Sequence, residues 1–180
     1  MRVEASLRDE LLAAIPSLRA FAISFTNNRD RADDLVQETI LRAWANIDKF
    51  QSGTNLNAWL FTILRNQFHS EYRKRKREVE DADGSYAARL RTHPDQHSRL
   101  DLEDFQAALI TLPLDQREAL LLVGAQGMSY EEAAAVCNVA VGTVKSRVNR
   151  ARSRLASLLD LTGEADLGPD SVIKAALTVR

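Results

Sequence analysis

The sequence predicts an all-α protein of two small helical domains joined by a flexible linker. Three observations carry that expectation. Apolar residues recur with a helical period in nearly every segment, and no stretch sustains the two-residue alternation of a half-buried strand. Gly and Pro, the strongest breakers of regular structure, number only seven and four in 180 residues. The helical pattern fails across residues 78–98, where the acidic run from Glu78 to Gly84 and the polar run from Thr92 to Ser98 read as an interdomain linker. The expected division is therefore 1–77, a linker 78–98, a second domain 99–160 and a tail 161–180.

The first domain has room for about three or four helices, two of which can be bounded. One runs from about Arg29 to Asp48, opened by Asn28 or Asp30 and by acidic residues in its first turn. Ala32, Val36, Ile40, Ala43 and Ile47 form its core stripe. Leu35, Leu41 and Ala45 lie off that stripe among Asp34, Gln37, Glu38 and Arg42, a mixture expected of a protein interface or of a second core contact. After a polar turn, Phe50-Gln-Ser-Gly-Thr-Asn-Leu56, the other helix runs from about Asn57 to Arg77. That turn is either a loop to grip a base or a plain connector. Leu60, Phe61, Leu64, Phe68 and Tyr72 are expected to be buried, with Trp59, Thr62, Ile63, Asn66, Ser70 and Arg73 on the other side. An outward aromatic beside amides and cations suits nucleic acid, because rings stack on bases and cations hold phosphates. The run Arg73-Lys-Arg-Lys-Arg77 gains meaning from that neighbouring face, since a charge run alone is more often a solvated helix end.

The second domain is expected to hold helices near Leu100–Thr111, Pro113–Ala125, Ser129–Cys137 and Thr143–Leu159. Ser129 with Glu132 three residues on makes a capping box, and the last helix restarts at Thr143 after Gly142. A short capped helix, a tight turn and a longer cationic helix are the layout of a helix-turn-helix. Along the last helix Val144, Val148, Ala151, Leu155 and Leu158 share one stripe, and Lys145, Ser146, Asn149, Arg150 and Ser153 the opposite one. No acidic residue falls between Thr143 and Leu159, as suits an approach to a polyanion. Arg and Asn can bond base edges in a major groove, with Arg147 and Arg154 flanking as phosphate contacts.

Bulk composition narrows the alternatives. The net charge of −1, from 24 basic and 25 acidic residues, does not itself point to nucleic acid; the cations are instead gathered at Arg65–Arg77 and Lys145–Arg154. The single cysteine, Cys137, reads as a buried small hydrophobe and excludes an intramolecular disulfide. With no long apolar run and no signal-like start, a cytoplasmic protein is expected. His93 and His97 flank Pro94 with no nearby Cys, so no metal site is expected. Paired acids at helix starts complement the macrodipole, and neither a nucleophile elbow nor a phosphate-binding glycine loop occurs, so neither enzyme nor cofactor is expected.

Several separated motifs, in order, resemble those of extracytoplasmic-function sigma factors, the small two-domain class of bacterial transcription initiation factors. They are Asp30–Thr39, Phe50–Leu64, Gly127–Glu132 and Val141–Arg147, and the likeness covers nearly all of the chain up to Leu159. Asn27–Gln37, Gly53–Leu56, Glu78–Gly84 and Arg117–Gly124 are similar to the EcfG type, which runs the general stress response of alphaproteobacteria. The resemblance implies core RNA polymerase as partner, through the β′ clamp helices and the β flap, with Asp34, Leu35, Gln37, Glu38, Leu41 and Arg42 on the clamp side. It implies that Phe50, Gln51, Gly53, Thr54, Asn55, Asn66, His69 and Arg73 read a promoter −10 element with a flipped-out base. It assigns the −35 element to Thr143, Lys145, Ser146, Arg147, Asn149, Arg150 and Arg154. It further implies an anti-sigma partner of the NepR type, and neither a membrane nor a small-molecule substrate. Ala140 departs from the pattern, standing where many relatives carry proline. A dimeric helix-turn-helix repressor would leave the face around Trp59 and Arg73 unexplained, and a sigma mimic would not need the stripe from Lys145 to Arg150.

Overall fold

The computed structural model describes residues 2–80 and 97–159. Most of the expected linker, and the whole tail from 161, lie outside the described residues. Within them the chain is helical, with no strand: α1 (Arg2–Thr26), α2 (Arg29–Ala45), α3 (Leu56–Glu80), α4 (His97–Thr111), α5 (Leu114–Leu120), α6 (Tyr130–Cys137) and α7 (Val141–Leu158). Both described ends of the expected linker are helical, since α3 runs on to Glu80 and α4 starts at His97.

Helix α1 buries Leu11, Ala14, Leu18, Phe21, Ala22 and Phe25, an unbroken helical stripe that tolerates Pro16 on an exposed side. Asn27, in the left-handed conformation at φ 48°, ends the helix, and its N–H returns to the Ile23 carbonyl at 2.8 Å. Asn28 then caps α2, its Oδ1 accepting from the Arg31 N–H at 2.9 Å. α2 packs against both α1 and α3, so its buried arc is wider than one stripe. Leu35, expected off the core, is only 3% exposed, and Thr39 is buried with its hydroxyl on the Leu35 carbonyl. α3 contributes Leu60, Phe61, Leu64 and Phe68, and the rings of Phe21, Phe25, Phe61 and Phe68 pack edge-to-face or stacked at 4.5–5.2 Å. Tyr72, expected in that core, is instead 54% exposed and lies against Phe68.

In the second half, Pro113 caps α5, which passes into a π-helical turn, Leu121–Ala125. Gly127 at φ 66° turns the chain into α6. The capping box is formed: Glu132 N–H donates to Ser129 Oγ and Ser129 N–H to Glu132 Oε2. α6 ends at Asn138, left-handed at φ 53°, and α7 begins at Val141 with Ala140 as cap. The expected restart at Thr143 is therefore two residues late, because Gly142 lies inside the first turn of the helix. Val144, Val148, Ala151 and Leu155 are buried as their spacing requires, whereas Leu158, at the end of the helix, is exposed.

The halves meet. α3 packs against α6, α1 touches α4, and one hydrophobic cluster runs through both. Polar contacts bridge them too. Arg117 is buried and donates to the Ser24 carbonyl of α1 at 2.5 Å while holding the Ile110 and Leu112 carbonyls of its own half. Burial lowers the pKa of its guanidinium.

Candidate polymerase and promoter interfaces

Three surfaces carry the expected functional residues. On α2, Asp34, Gln37, Leu41 and Arg42 are exposed, and Glu38 is half-buried and accepts from Arg42 Nε at 2.7 Å. Leu35 is not on this surface but beneath it, in the core. In its place stands Trp44, which pattern reading missed: it is 54% exposed, one helical turn from Leu41 at 61%. A large aromatic beside an exposed leucine, ringed by charges, is the composition of an interface centre. Its three-residue spacing from Leu41 on a polar side was the available signal.

The second surface lies on α3 and the turn before it. Gln51, Gly53, Thr54 and Asn55 are exposed, Gly53 at φ 90°, and Phe50 is anchored on Trp59 with ring centroids 5.4 Å apart. Asn55 caps α3, its Oδ1 accepting from the Ala58 N–H at 3.1 Å. Its amide Nδ2 reaches across to the other half and donates to Glu132 Oε1 at 2.7 Å. That bond, with the capping-box bond from Ser129, holds the Glu132 carboxyl below its ordinary pKa. Asn66 and Arg73 are exposed, Arg73 Nε donating to the His69 carbonyl. His69 is half-buried, with Nε2 at 3.7 Å from Glu118 Oε1. One helical turn earlier on the same side is Arg65, the first of the cation cluster, with Nε at 2.5 Å from the same Glu118 oxygen. Glu118 itself is 1% exposed.

The third surface is α7. Lys145, Asn149, Arg150 and Arg154 are exposed, with Lys145 Nζ 5.6 Å from the centre of the Tyr130 ring. Thr143 and Ser146 are half-buried, and the Ser146 hydroxyl turns back to the Thr143 carbonyl. Arg147, expected at a phosphate, is also half-buried and pairs with Asp115 at 3.1 Å. It ties α7 to α5.

No group of three or more His, Cys, Asp and Glu side chains among the described residues is placed to hold a metal ion. Cys137 is buried, and burial followed by the nearby Glu118 carboxylate pushes its thiol up to about 12. No described helix is long and apolar enough to cross a membrane.

Comparison with known proteins agrees with this geometry. Residues 12–78 match sigma-70 region 2, and residues 102–155 match sigma-70 region 4. Over 172 residues the chain is 67% identical to the ECF RNA polymerase sigma factor EcfG of Rhodopseudomonas palustris (strain TIE-1), spanning 96% of this chain and 95% of that one. Its fold is similar to the sigma factor RpoE of Bartonella quintana, solved in complex with the anti-sigma factor NepR, at a TM-score of 0.78 and 55% identity over 88% of this chain and 99% of that one. CnrH, solved with the cytosolic domain of CnrY, is more distant, at a TM-score of 0.62 and 31% identity over 90% of each chain. The region 2 and region 4 matches fall on the two halves that carry the α2, α3 and α7 surfaces, and the chain belongs to the extracytoplasmic-function RNA polymerase sigma factors.

Proposed function

We propose that this sigma factor docks on core RNA polymerase through the α2 surface, reads the −35 element as duplex through α7, and captures the separated strand of the −10 element on α3. The observation that carries this reading is the division of α7 into a packed stripe, Val144 to Leu155, and an exposed one bearing Lys145, Asn149, Arg150 and Arg154 with no acid between them. Arg150 and Asn149 contact base edges, and Arg154 a phosphate. On α2, Leu41 and Trp44 are the anchors against the β′ clamp helices, with Asp34, Gln37, Glu38 and Arg42 at the rim. The turn Phe50–Asn55 with Asn66 holds an unstacked base, and Arg73 holds the backbone. The likeness to EcfG and to an RpoE solved with NepR supports a general-stress regulon, a NepR-type anti-sigma partner and a non-enzymatic, cytoplasmic role. Run-off transcription with purified core polymerase on a promoter library tests the reading. Transcripts that start at one selected motif pair support it, and no transcript above core alone overturns it.

A further inference from the structure

Between the two halves, the hydrogen-bond donors of the α3 surface meet carboxylates of the second half. Arg65 donates to Glu118 Oε1 at 2.5 Å, with His69 Nε2 3.7 Å from the same oxygen, and Asn55 donates to Glu132 Oε1 at 2.7 Å. Asn55 and Arg65 are ten residues apart, about 15 Å along a helix axis, a length over which a nucleic-acid strand at about 3.4 Å per phosphate carries several charges. A guanidinium, an imidazole and an amide along one helix are a set of groups that bind a phosphate backbone. Here an acid from the other half sits at each end. His69 Nε2, at 3.7 Å, makes no hydrogen bond to Glu118, whose carboxylate also accepts from the Cys137 thiol. Desolvation cancels much of the Coulomb gain of a buried ion pair, so its net contribution to stability is small. Replacing one anion by another at Arg65 therefore costs little.

We propose that the second domain is a built-in mimic of promoter DNA, with Glu118 and Glu132 standing where phosphates lie on the α3 surface, so that Arg65 and Asn55 are engaged by carboxylate in the closed chain, with His69 beside them, and all three by DNA in the open one. The inference rests on the reading of α3 as the −10 surface, and it adds Arg65 to that surface as a phosphate-binding residue. A further bridge, from Arg117 to the Ser24 carbonyl, joins α1 rather than α3 and supports closure without competing for DNA. Closure then lowers apparent DNA affinity by the fraction of chains that are open.

The test uses the full chain carrying Asp9→Cys and Ser157→Cys, both exposed and outside the three surfaces, labelled with a fluorescence-transfer pair; Cys137 is buried and its thiol stays protonated. The probe is a single-stranded oligonucleotide bearing the −10 sequence selected by run-off. Saturating oligonucleotide should lengthen the interdomain distance. Glu118→Gln should lengthen it without DNA and tighten oligonucleotide binding about tenfold, as expected if roughly a tenth of wild-type chains are open. Glu132→Gln keeps the capping box, because glutamine serves there as well as glutamate, and should tighten binding about twofold with unchanged helicity. Equal oligonucleotide affinity in wild type and both variants overturns the mimicry, whatever the distance does. An interdomain distance unmoved by saturating oligonucleotide overturns it too. Run-off by the unlabelled wild type reads separately: transcription with equal variant affinities sinks only this inference, whereas absent transcription sinks the sigma reading beneath it.

Discussion

On α7 the exposed groups Lys145, Asn149, Arg150 and Arg154 stand on a stripe packed within their own half, and Arg147 is tied to Asp115 of α5. On α3, Arg65 and His69 face Glu118, and Asn55 is bonded to Glu132, so the surface is shared with the other half. The difference is one of dependence. The α7 surface is complete wherever its own four helices fold, whereas the α3 surface changes with the position of a second body. On the functional reading proposed above, duplex contact by α7 is available whether or not the halves are apart, and strand capture by α3 is conditional.

The largest expected effect tests whether the two surfaces are energetically separate. Phe61 is fully buried against Phe21 beneath the α3 surface, and Phe61→Ala should cost about 3–5 kcal/mol. Hydrogen exchange should show that loss in α3, with α7 amides losing less than about half as much protection. Equal losses in both helices would make the molecule one cooperative unit and erase the contrast. Next in size is Arg117→Ala, which deprives the Ser24, Ile110 and Leu112 carbonyls of their donor. Urea denaturation should give a loss of about 3 kcal/mol, in the range for hydrogen bonds to a charged group. A loss below about 1 kcal/mol would mean that this bridge matters little to closure.

On the α7 side, Arg150→Ala should cost about 1–3 kcal/mol at one or two positions of the −35 element and leave other positions alone. Arg154→Ala should weaken all sequences evenly and reduce the salt slope by about 0.9. Selection from randomised promoters separates them, and identical base preferences for wild type and Arg150→Ala would exclude direct reading by Arg150. The smallest effect is on pH. The Glu132 carboxyl is held below its ordinary value of 4.5, first by the Asn55 amide and then by Ser129. Its contribution is therefore fully present above that value and lost as pH falls through the lower, folded-state one. The Asn55 side-chain amide resonance should shift over that acid range in wild type and stay put in Glu132→Gln.

Local structure was legible from short-range chemistry. The Ser129–Glu132 capping box, the α7 core stripe and the break after Asn138 each depend on residues within about one helical turn, and each formed. Misplacements arose where tertiary context decides. A single stripe leaves Leu35 between an interface and a second core contact, and the second holds because α2 packs on two neighbours, α1 and α3. Tyr72 and Leu158 keep the core period but lie far along their helices and remain exposed. Gly142 is a breaker by composition, yet its added backbone freedom is unused in the first turn of α7. The Arg65–Glu118 pair was out of reach for a different reason: its partners are 53 residues apart in sequence, and no periodicity relates two domains across a linker. Trp44 is legible in the sequence, as an aromatic one turn from Leu41 on the charged side of α2.

Cys137 has a consequence for how such a factor can learn of its surroundings. Peroxide and disulfide chemistry proceed through thiolate, and burial pushes the Cys137 thiol up to about 12, well away from the thiolate form at neutral pH. Its burial beside Glu118 adds a steric barrier to an electrostatic one. The chain's one sulfhydryl is thus shielded from direct oxidation while the fold is intact.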